Sequence, residues 1–318
     1  MALPSESQST YTGVNSNRED LVNAIYRVSQ EQTPFSSRVA KIGAKATLHE
    51  WQTEALADAV DTNAVLEGDD ATTDAPINTA RRTNYTQISD KVARVTGTQE
   101  SVDKAGKTSE MAHQVAAKTI ELKRDIEKSM LANKAKVAGN ATTARVAAGI
   151  ESWIATNASE GAGATSATGD GTDARVAGTP RAFTEDLLKT TIAACADAGA
   201  NPNLILVGSF NKQAMSAFTG NGITRNVEAT KQTLNTAIDI YISDFGTLEV
   251  VYSPFSNAAS ALVIDTSLWA MGTLPGRAFM QNPLAKTGDT ERTQIITEWT
   301  LEARNENGNG AVYDLTVA

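Results

Sequence analysis

The sequence has very few of the residues from which enzymes and metal sites are usually built. It contains two histidines, His49 and His113, and one cysteine, Cys195. A single cysteine excludes an internal disulfide framework and a cysteine-rich metal site. Histidine is the usual general base and transition-metal ligand, so its scarcity counts against catalysis by the common routes. The sequence therefore predicts that the chain is not an enzyme and has no catalytic, cofactor-binding or metal-binding residues.

Long apolar runs, aromatic residues and an excess of basic charge are also missing. No stretch approaches the ~20 apolar residues of a membrane span, and the N-terminus lacks a basic-then-apolar signal pattern. Only 5% of residues are aromatic while 41% are hydrophobic, which predicts a core of many small contacts. The 28 basic and 37 acidic residues give a net charge of −9, which argues against a protein that grips nucleic-acid phosphates. We expect a soluble protein made in the cytoplasm, with two domains or one elaborated domain.

Two groups of acidic residues could hold a hard cation through oxygen ligands. The first lies in a segment of small residues, and the second follows a Gly-rich run. Neither has the spacing of an EF-hand loop, so a solvated surface is the favoured interpretation of both. The two groups are Glu67, Asp69, Asp70 and Asp74, and Asp170 with Asp173.

The remaining candidates also have plainer structural interpretations. The Gly-rich run 161–171 contains no GxxxxGK[ST] pattern, so residues 155–181 are predicted to form a flexible surface loop rather than a phosphate site. Cys195 falls on the apolar face of a predicted helix and is expected to be a buried thiol. His49 in a predicted strand and His113 in a long predicted helix are expected to be packing or surface residues.

The first third of the chain is predicted to form an arm and an extended hairpin. A short helix is predicted over 18–30, broken by Thr33-Pro34-Phe35. Residues 45–53 and 84–98 alternate like strands, and the acidic excursion 64–76 between them has the composition of a tip. A long two-stranded hairpin is marginal by itself. We therefore expect it to lie against a neighbouring subunit.

A long helix, an α/β block and a terminal hairpin follow. The segment 108–133 has no Gly or Pro and a broad apolar stripe at helical spacing, which predicts a spine helix. The block 182–275 alternates helical and strand patterns. At the end, alternation in 293–304, the turn residues 305–310 and alternation in 311–317 predict an antiparallel β-hairpin. The predicted elements of the block are helices at 184–198 and 208–218 and strands at 203–207, 237–243, 247–252 and 261–265.

This order of elements resembles the major capsid proteins of tailed bacteriophages with the Hong Kong 97 type fold. The resemblance covers most of the chain, and no single motif decides it. It is carried by these stretches: NREDLVNAIYRVSQEQTPF (17–35), NAVLEGDDATTDAP (63–76), GTQESVDKAG (97–106), TSEMAHQVAAKTIELKRDIEKSMLANKAKVAGN (108–140), NLILVGSFNKQAMSAF (203–218) and LAKTGDTERTQIITEWTLEARNENGNGAVYDL (284–315).

The resemblance implies an α+β capsid fold and a division of the chain into five segments. It further implies hexamers and pentamers that tile an icosahedral shell around packaged double-stranded DNA, with the extended loop and N-terminal arm on neighbouring subunits. The expected location is the virion, after assembly in the bacterial cytoplasm. The segments are an N-terminal arm (1–37), an extended loop (38–98), a peripheral domain with the spine helix (99–154), an apical domain (155–275) and a peripheral C-terminal hairpin (276–318).

Expected partners are other copies of the chain, a portal protein, possible scaffolding and decoration proteins, and DNA by non-specific proximity only, with no membrane. Some relatives carry a cleaved N-terminal scaffolding domain. This sequence reaches its first predicted helix after a short polar stretch, so we expect a separate scaffolding protein or none. One relative cross-links subunits through a Lys–Asn bond. Lys41, Lys45 and Lys91 lie in or near the loop, but no partner can be matched, so cross-linking is not expected.

Two other functions remain open at this point. An encapsulin-like nanocompartment shell shares the fold but encloses enzymes instead of DNA. A small-molecule enzyme could be built on the 182–275 block. Particle contents separate the first from a phage head, and a stable monomer that binds a small ligand would favour the second.

Overall fold

The computed structural model describes residues 29–30, 32–70, 76–218 and 239–317, which form a mixed α+β fold. The helices are α1 (Pro34–Arg38), α2 (Gly97–Ser101), α3 (Glu110–Met130), α4 (Glu185–Asp197) and α5 (Ser209–Ser216). The strands are β1 (Ala40–Gly43), β2 (Leu48–Thr53), β3 (Ala80–Tyr85), β4 (Gln87–Thr96), β5 (Asn157–Ser159), β6 (Leu204–Val207), β7 (Ile240–Ser243), β8 (Gly246–Tyr252), β9 (Ala261–Ile264), β10 (Trp269–Thr273), β11 (Met280–Leu284), β12 (Thr290–Ala303) and β13 (Gly310–Val312).

The long helix α3 is the predicted spine helix, two to three residues shorter at each end. The Ser109 hydroxyl accepts a hydrogen bond from the Ala112 backbone N–H (3.2 Å) and so caps the first turn. Leu122, Ile126 and Met130 are buried along one face, which packs against β4 and β12. The apolar spacing read from the sequence therefore marks the face that holds the helix on the sheet.

The first sheet is built around the 14-residue strand β12. On one edge β12 pairs first with β11 and then with β10, and on its other edge it pairs with β4. Strand β1 extends the sheet beyond β10 in parallel. The core under this sheet contains Trp153, Trp269 and Trp299, each at most 1% exposed. The expectation of a core without aromatic anchors was therefore wrong, because the few aromatic residues are concentrated in one place.

The second sheet has the order β5-β13-β9-β6-β8-β7 and confirms the predicted α/β block. Helices α4 and α5, strand β6 and strands β8 and β9 lie within one or two residues of their predicted positions. The predicted strand 237–243 is seen as β7, and its first two residues lie outside the described part. Leu188, Ile192 and Cys195 of α4 pack over this sheet in a second core.

The predicted C-terminal hairpin is wrong. Strands β12 and β13 exist, but β12 belongs to the first sheet and β13 inserts between β5 and β9 of the second. The amide of Asn309 redirects the chain, because its Oδ1 accepts hydrogen bonds from Trp269 Nε1 (2.8 Å) and from the Asp265 backbone N–H (3.0 Å). The turn residues 305–310 thus connect two sheets instead of two paired strands.

The prediction of a surface loop over 155–181 is also corrected. This segment contains β5, and Thr165 pairs with Val176 in an isolated bridge. Gly171 has φ +75° and lies so close to the Trp153 ring that a Cβ would be 2.8 Å from Cζ2. The glycines of this run therefore permit close packing as well as turns.

The extended hairpin is present with a different second strand. Strand β2 pairs antiparallel with β3, with Thr53 opposite Ala80, while the predicted strand 84–98 largely becomes β4 and pairs with β12. The segment joins the first sheet instead of the hairpin because Ala93 and Val95 are buried on the face of β4 toward α3. Residues 54–70 and 76–79, between β2 and β3, form neither helix nor strand.

Two further findings concern the predicted helix 18–30 and membrane-spanning segments. The predicted helix lies outside the described residues except for its last two positions. Pro34, expected to break that helix, instead begins α1, where a proline needs no N–H partner. Within the described ranges, no helix has the length and apolar character to span a bilayer.

Candidate assembly surfaces

The first acidic group lies on a fully exposed segment. Glu67, Asp69 and Asp70 are all exposed, and the Asp69 carboxylate accepts a hydrogen bond from the Asp70 backbone N–H (3.0 Å). Asp74 lies outside the described residues. In the part of the chain that the structure describes, no three His, Cys, Asp or Glu side chains converge as metal ligands would.

The second acidic pair organises a loop. Asp170 Oδ1 accepts hydrogen bonds from the Thr172 backbone N–H (2.8 Å) and from the Thr168 hydroxyl (2.9 Å), and Asp173 accepts from the Thr168 backbone N–H (2.9 Å). Although partial burial acts in the opposite direction, the bonds from Thr172 and Thr168 lower the pKa of Asp170. Both carboxylates therefore serve turns of the 155–181 segment.

Cys195 and His113 occupy structural positions. Cys195 is fully buried, and burial raises the pKa of its thiol to about 12. At neutral pH this thiol is protonated, which leaves it a poor nucleophile. His113 lies half-buried in the first turns of α3.

His49 helps to fix the base of the extended segment to the end of β12. Its Nε2 lies 2.6 Å from Glu302 Oε2, Trp51 Nε1 donates to the Ala303 carbonyl (2.7 Å), and Asn84 Nδ2 donates to the Leu301 carbonyl (2.7 Å). Partial burial opposes ionisation of Glu302, but hydrogen bonds from His49 and Arg304 hold its pKa below the ordinary value of 4.5. The strands β2 and β3 therefore leave the subunit from a well-anchored base.

The three lysines considered for cross-linking have different surroundings. Lys41 Nζ contacts the Ser36 carbonyl and lies 3.6 Å from Met271 Sδ, and burial lowers the pKa of Lys41 while Glu127 opposes that shift. Lys45 is exposed. Lys91 Nζ lies 2.7 Å from Asp125, whose hydrogen bond raises the pKa of Lys91.

In the described ranges, the largest exposed apolar set lies between β2 and β3. Every described residue from 54 to 79 is exposed, which leaves long aliphatic side chains in solvent. The exposed fractions reach 79% at Leu56 and 82% at Val65. Clusters of this kind on a soluble protein mark contacts with another chain. The set consists of Leu56, Val60, Val65, Leu66 and Ile77.

A second exposed set lies at the edge of the second sheet. Strand β7 is the last strand of that sheet, and it leaves Ile240 and Ile242 exposed, with Phe245 in the turn that follows. Sequence reasoning missed this surface, because an apolar strand is normally a sign of burial. The alternation of Ile240, Tyr241 and Ile242 was the available signal, since strand residues two apart share a face.

Comparison with known proteins shows the family to which this chain belongs. The family model described as SU10 major capsid protein matches residues 7–316, nearly the whole chain. The chain belongs to the SU10 major capsid protein family. Membership makes it a structural component of the virion shell and not an enzyme, and it confirms the resemblance to capsid proteins of tailed phages.

Among curated proteins, the chain is 35% identical over 122 residues to the major capsid protein of Escherichia phage Phieco32. That match covers 38% of this chain and 35% of the relative, so the alignment spans about a third of the relative's length.

Solved structures of phage capsids share the fold of this SU10-family capsid protein. The capsid asymmetric unit of Cyanophage A-1(L) matches with a TM-score of 0.69 at 13% identity, over 97% of this chain and 100% of that chain. A structure from Mycobacterium phage Bobi matches with a TM-score of 0.63 at 13% identity, over 96% of this chain and 98% of that chain. A Phage G structure of major capsid proteins and decoration proteins matches with a TM-score of 0.54 at 11% identity, over 99% of this chain and 100% of that chain. The mixed α+β fold therefore matches phage capsid structures over almost its full length.

Proposed function

We propose that the chain assembles as hexamers and pentamers into the icosahedral head shell of a tailed phage, around packaged double-stranded DNA. The observation that carries this is the fully exposed segment between β2 and β3, held at its base by His49, Trp51 and Asn84. A subunit that leaves such a segment in solvent gains by covering it with a second copy.

In this assembly the five segments inferred from the sequence act as N-terminal arm (1–37), extended loop (38–98), peripheral domain (99–154 and 276–318) and apical domain (155–275). The two sheets follow this proposed division except at two strands, because β10 lies in the first sheet and β13 in the second. One hydrophobic core contacts both sheets. The arm and the loop would lie on neighbouring subunits.

Other partners follow from the same proposal. A closed head needs a portal protein, and scaffolding or decoration proteins could act on this shell, since the Phage G structure contains decoration proteins beside the major capsid proteins of that phage. The net charge of −9 is compatible with DNA that is enclosed without being bound, because an acidic shell does not attract phosphates. Assembly would take place in the bacterial cytoplasm, and its product is the virion.

Removing the extended segment tests the proposal. Because Thr53 stands opposite Ala80, residues 54–79 can be replaced by Asn-Gly, which closes β2 and β3 with a two-residue turn. No buried side chain is lost among the described residues of this segment. We expect a folded subunit, as judged by circular dichroism, that forms no closed shells in negative-stain microscopy.

The control replaces Asp186, which is exposed on α4, by asparagine; this variant keeps the segment intact and should assemble normally. Normal particles from the Asn-Gly variant, or a wild-type chain that stays a 33.5 kDa monomer, would contradict the proposal. Particles filled with DNA support a phage head. Particles filled with an enzyme would instead favour a nanocompartment.

A further inference from the structure

One face of the first sheet carries two arginines that have no ion-pair partner among the described residues. Strands β11, β12 and β4 lie side by side, and Leu284, Arg292 and Arg94 stand in one row across them. Val92 and Gln294 form the next row on β4 and β12. We call these five residues the arginine face. Arg94 and Val92 are exposed, while the opposite face of β4 is buried toward α3.

The five residues of the arginine face include no acid, and Asp90, the carboxylate on the same side of β4, stands two rows away from Arg94. Like charges directly opposite each other on antiparallel strands are destabilising. Among the described residues, the Arg94 guanidinium forms no hydrogen bond or ion pair. Arg292 donates from Nη2 to the Ala285 carbonyl (2.9 Å), and its Nε is buried without a partner. The carboxylate on the same side of β4, Asp90, accepts a hydrogen bond from Gln294 Nε2 (2.6 Å).

The chemistry that suits this surface is an acidic, partly apolar segment, and the chain contains one. Residues 54–79 include seven carboxylates and no lysine or arginine, together with the exposed aliphatic side chains between β2 and β3. Val92 and Leu284 give those aliphatic groups an apolar neighbour beside the two cations. The carboxylates are Glu54, Asp58, Asp61, Glu67, Asp69, Asp70 and Asp74.

Geometry favours a second copy as the source of that segment. The base of β2 and β3 is fixed near Leu301 and Ala303, about ten residues or ~33 Å along β12 from Arg292. The described residues of 54–79 are all exposed, so they do not cover their own arginine face. Half of this segment, fully extended, reaches ~43 Å, so its length permits contact with either face, and the exposure of its described residues is what favours a second copy.

We propose that the arginine face of each subunit receives the acidic segment 54–79 of a neighbouring copy. This inference rests on the proposed shell function and names the surface that the extended loop occupies. A groove of about 350 Å³ borders the face and is lined by Ile88 and residues 138–140 and 143–145. It would take an aliphatic side chain of the same segment.

Charge reversal and restoration test the proposal. The double variant Arg94→Glu with Arg292→Glu should stay folded, because neither arginine has an ion-pair partner in the described part of the chain, but its yield of shells should fall at least about tenfold. Adding Asp58→Lys, Asp61→Lys and Glu67→Lys to the same chain should restore shells. Lys128→Glu with Lys189→Glu, at exposed positions away from the arginine face, changes the net charge equally and should assemble like wild type.

Circular dichroism and thermal unfolding show whether each variant folds, and size-exclusion chromatography with negative stain measures shells. Shells at wild-type yield from the arginine variant would overturn the inference while leaving the shell function intact. A folded arginine variant that the loop lysines fail to restore, or equal loss in the Lys128 and Lys189 control, would also overturn it. Failure of the wild-type chain to form shells would instead overturn the proposed function.

Discussion

Replacing Arg175 by methionine should lower the free energy of unfolding by about 3–5 kcal/mol, since two buried carboxylates would lose their cation. Arg175 Nη2 lies 3.0 Å from Asp314 Oδ1, and Nε lies 3.4 Å from Glu151 Oε2. All three side chains are at most 2% exposed. The guanidinium also lies 4.1 Å from the centre of the buried Tyr313 ring.

The pKa values of the two carboxylates, Asp314 and Glu151, are shifted in opposite directions at this site. Burial opposes ionisation of Asp314, but the hydrogen bond from Arg175 keeps its pKa below the ordinary value. Burial raises the pKa of Glu151 in spite of a hydrogen bond from Ser260 and the charge of Arg175. Asp314 is therefore the closer ionic partner, and it depends most on the arginine. Denaturant unfolding of wild type and variant measures the loss.

A triple variant provides the control for Arg175→Met. Adding Glu151→Gln and Asp314→Asn removes both uncompensated charges, and asparagine tolerates the positive φ of 57° at position 314. We expect the triple variant to be more stable than the single one. Lys286→Met, which breaks only an exposed pair with Glu291, should change stability by less than about 1 kcal/mol. A single variant as stable as wild type would contradict this account of the site.

The elements that were predictable from the sequence are those whose signal is local. The spine helix α3 could be predicted because its apolar stripe and its cap, Ser109, all lie within one continuous stretch. The α/β block was predictable for the same reason. The prediction of the terminal hairpin was wrong because the pairing of β12 and β13 depends on residues far away in the sequence. Asn309 turns the chain by accepting a hydrogen bond from Trp269, 40 residues earlier.

The candidate surfaces also divide into those predictable from a local signal and those that depend on distant residues. The acidic group at 67–70 was predicted as a solvated tip from composition alone, and its described residues are exposed. The arginine face could not be predicted, because Arg94 and Arg292 become neighbours only through the register of β4 and β12. The prediction from composition was also wrong for the Gly-rich run, since Gly171 is needed both for its positive φ of +75° and for its close approach to the Trp153 ring.

Replacing Glu127 by alanine should destabilise the subunit by about 3 kcal/mol and release the segment that leads into the N-terminal arm. Glu127 is fully buried on α3, and its two oxygens accept the backbone N–H groups of Phe35 (2.7 Å) and Ser36 (2.8 Å). The carboxylate thus holds the first turn of α1. Phe35 is fully buried and packs edge-on against Trp269, with ring centres 6.1 Å apart.

The readout for Glu127→Ala is amide hydrogen exchange. We expect faster exchange at Phe35 and Ser36, with the amides of β6 and β9 protected as in wild type. Unchanged protection at Phe35 and Ser36 would contradict the anchoring role. Ser129→Ala, on the same helix, removes only hydroxyl contacts with Gln87 and Lys134 and none with α1, so it is a matched control and should leave α1 protected.

The buried Glu127 also predicts a dependence of stability on pH, with a definite sign. Burial raises its pKa above the ordinary 4.5, although the N–H groups of Ser36 and Phe35 act against the shift. A raised pKa means that the folded state holds the proton more tightly than the unfolded state. The contribution of Glu127 to stability is therefore greatest below 4.5 and declines as the pH rises through the raised value. Glu127→Gln keeps the size of the side chain and removes the titration. The stability difference between wild type and Glu127→Gln should then shift against wild type from about pH 4 to about pH 8, and a constant difference over that range would show that the anchor does not titrate.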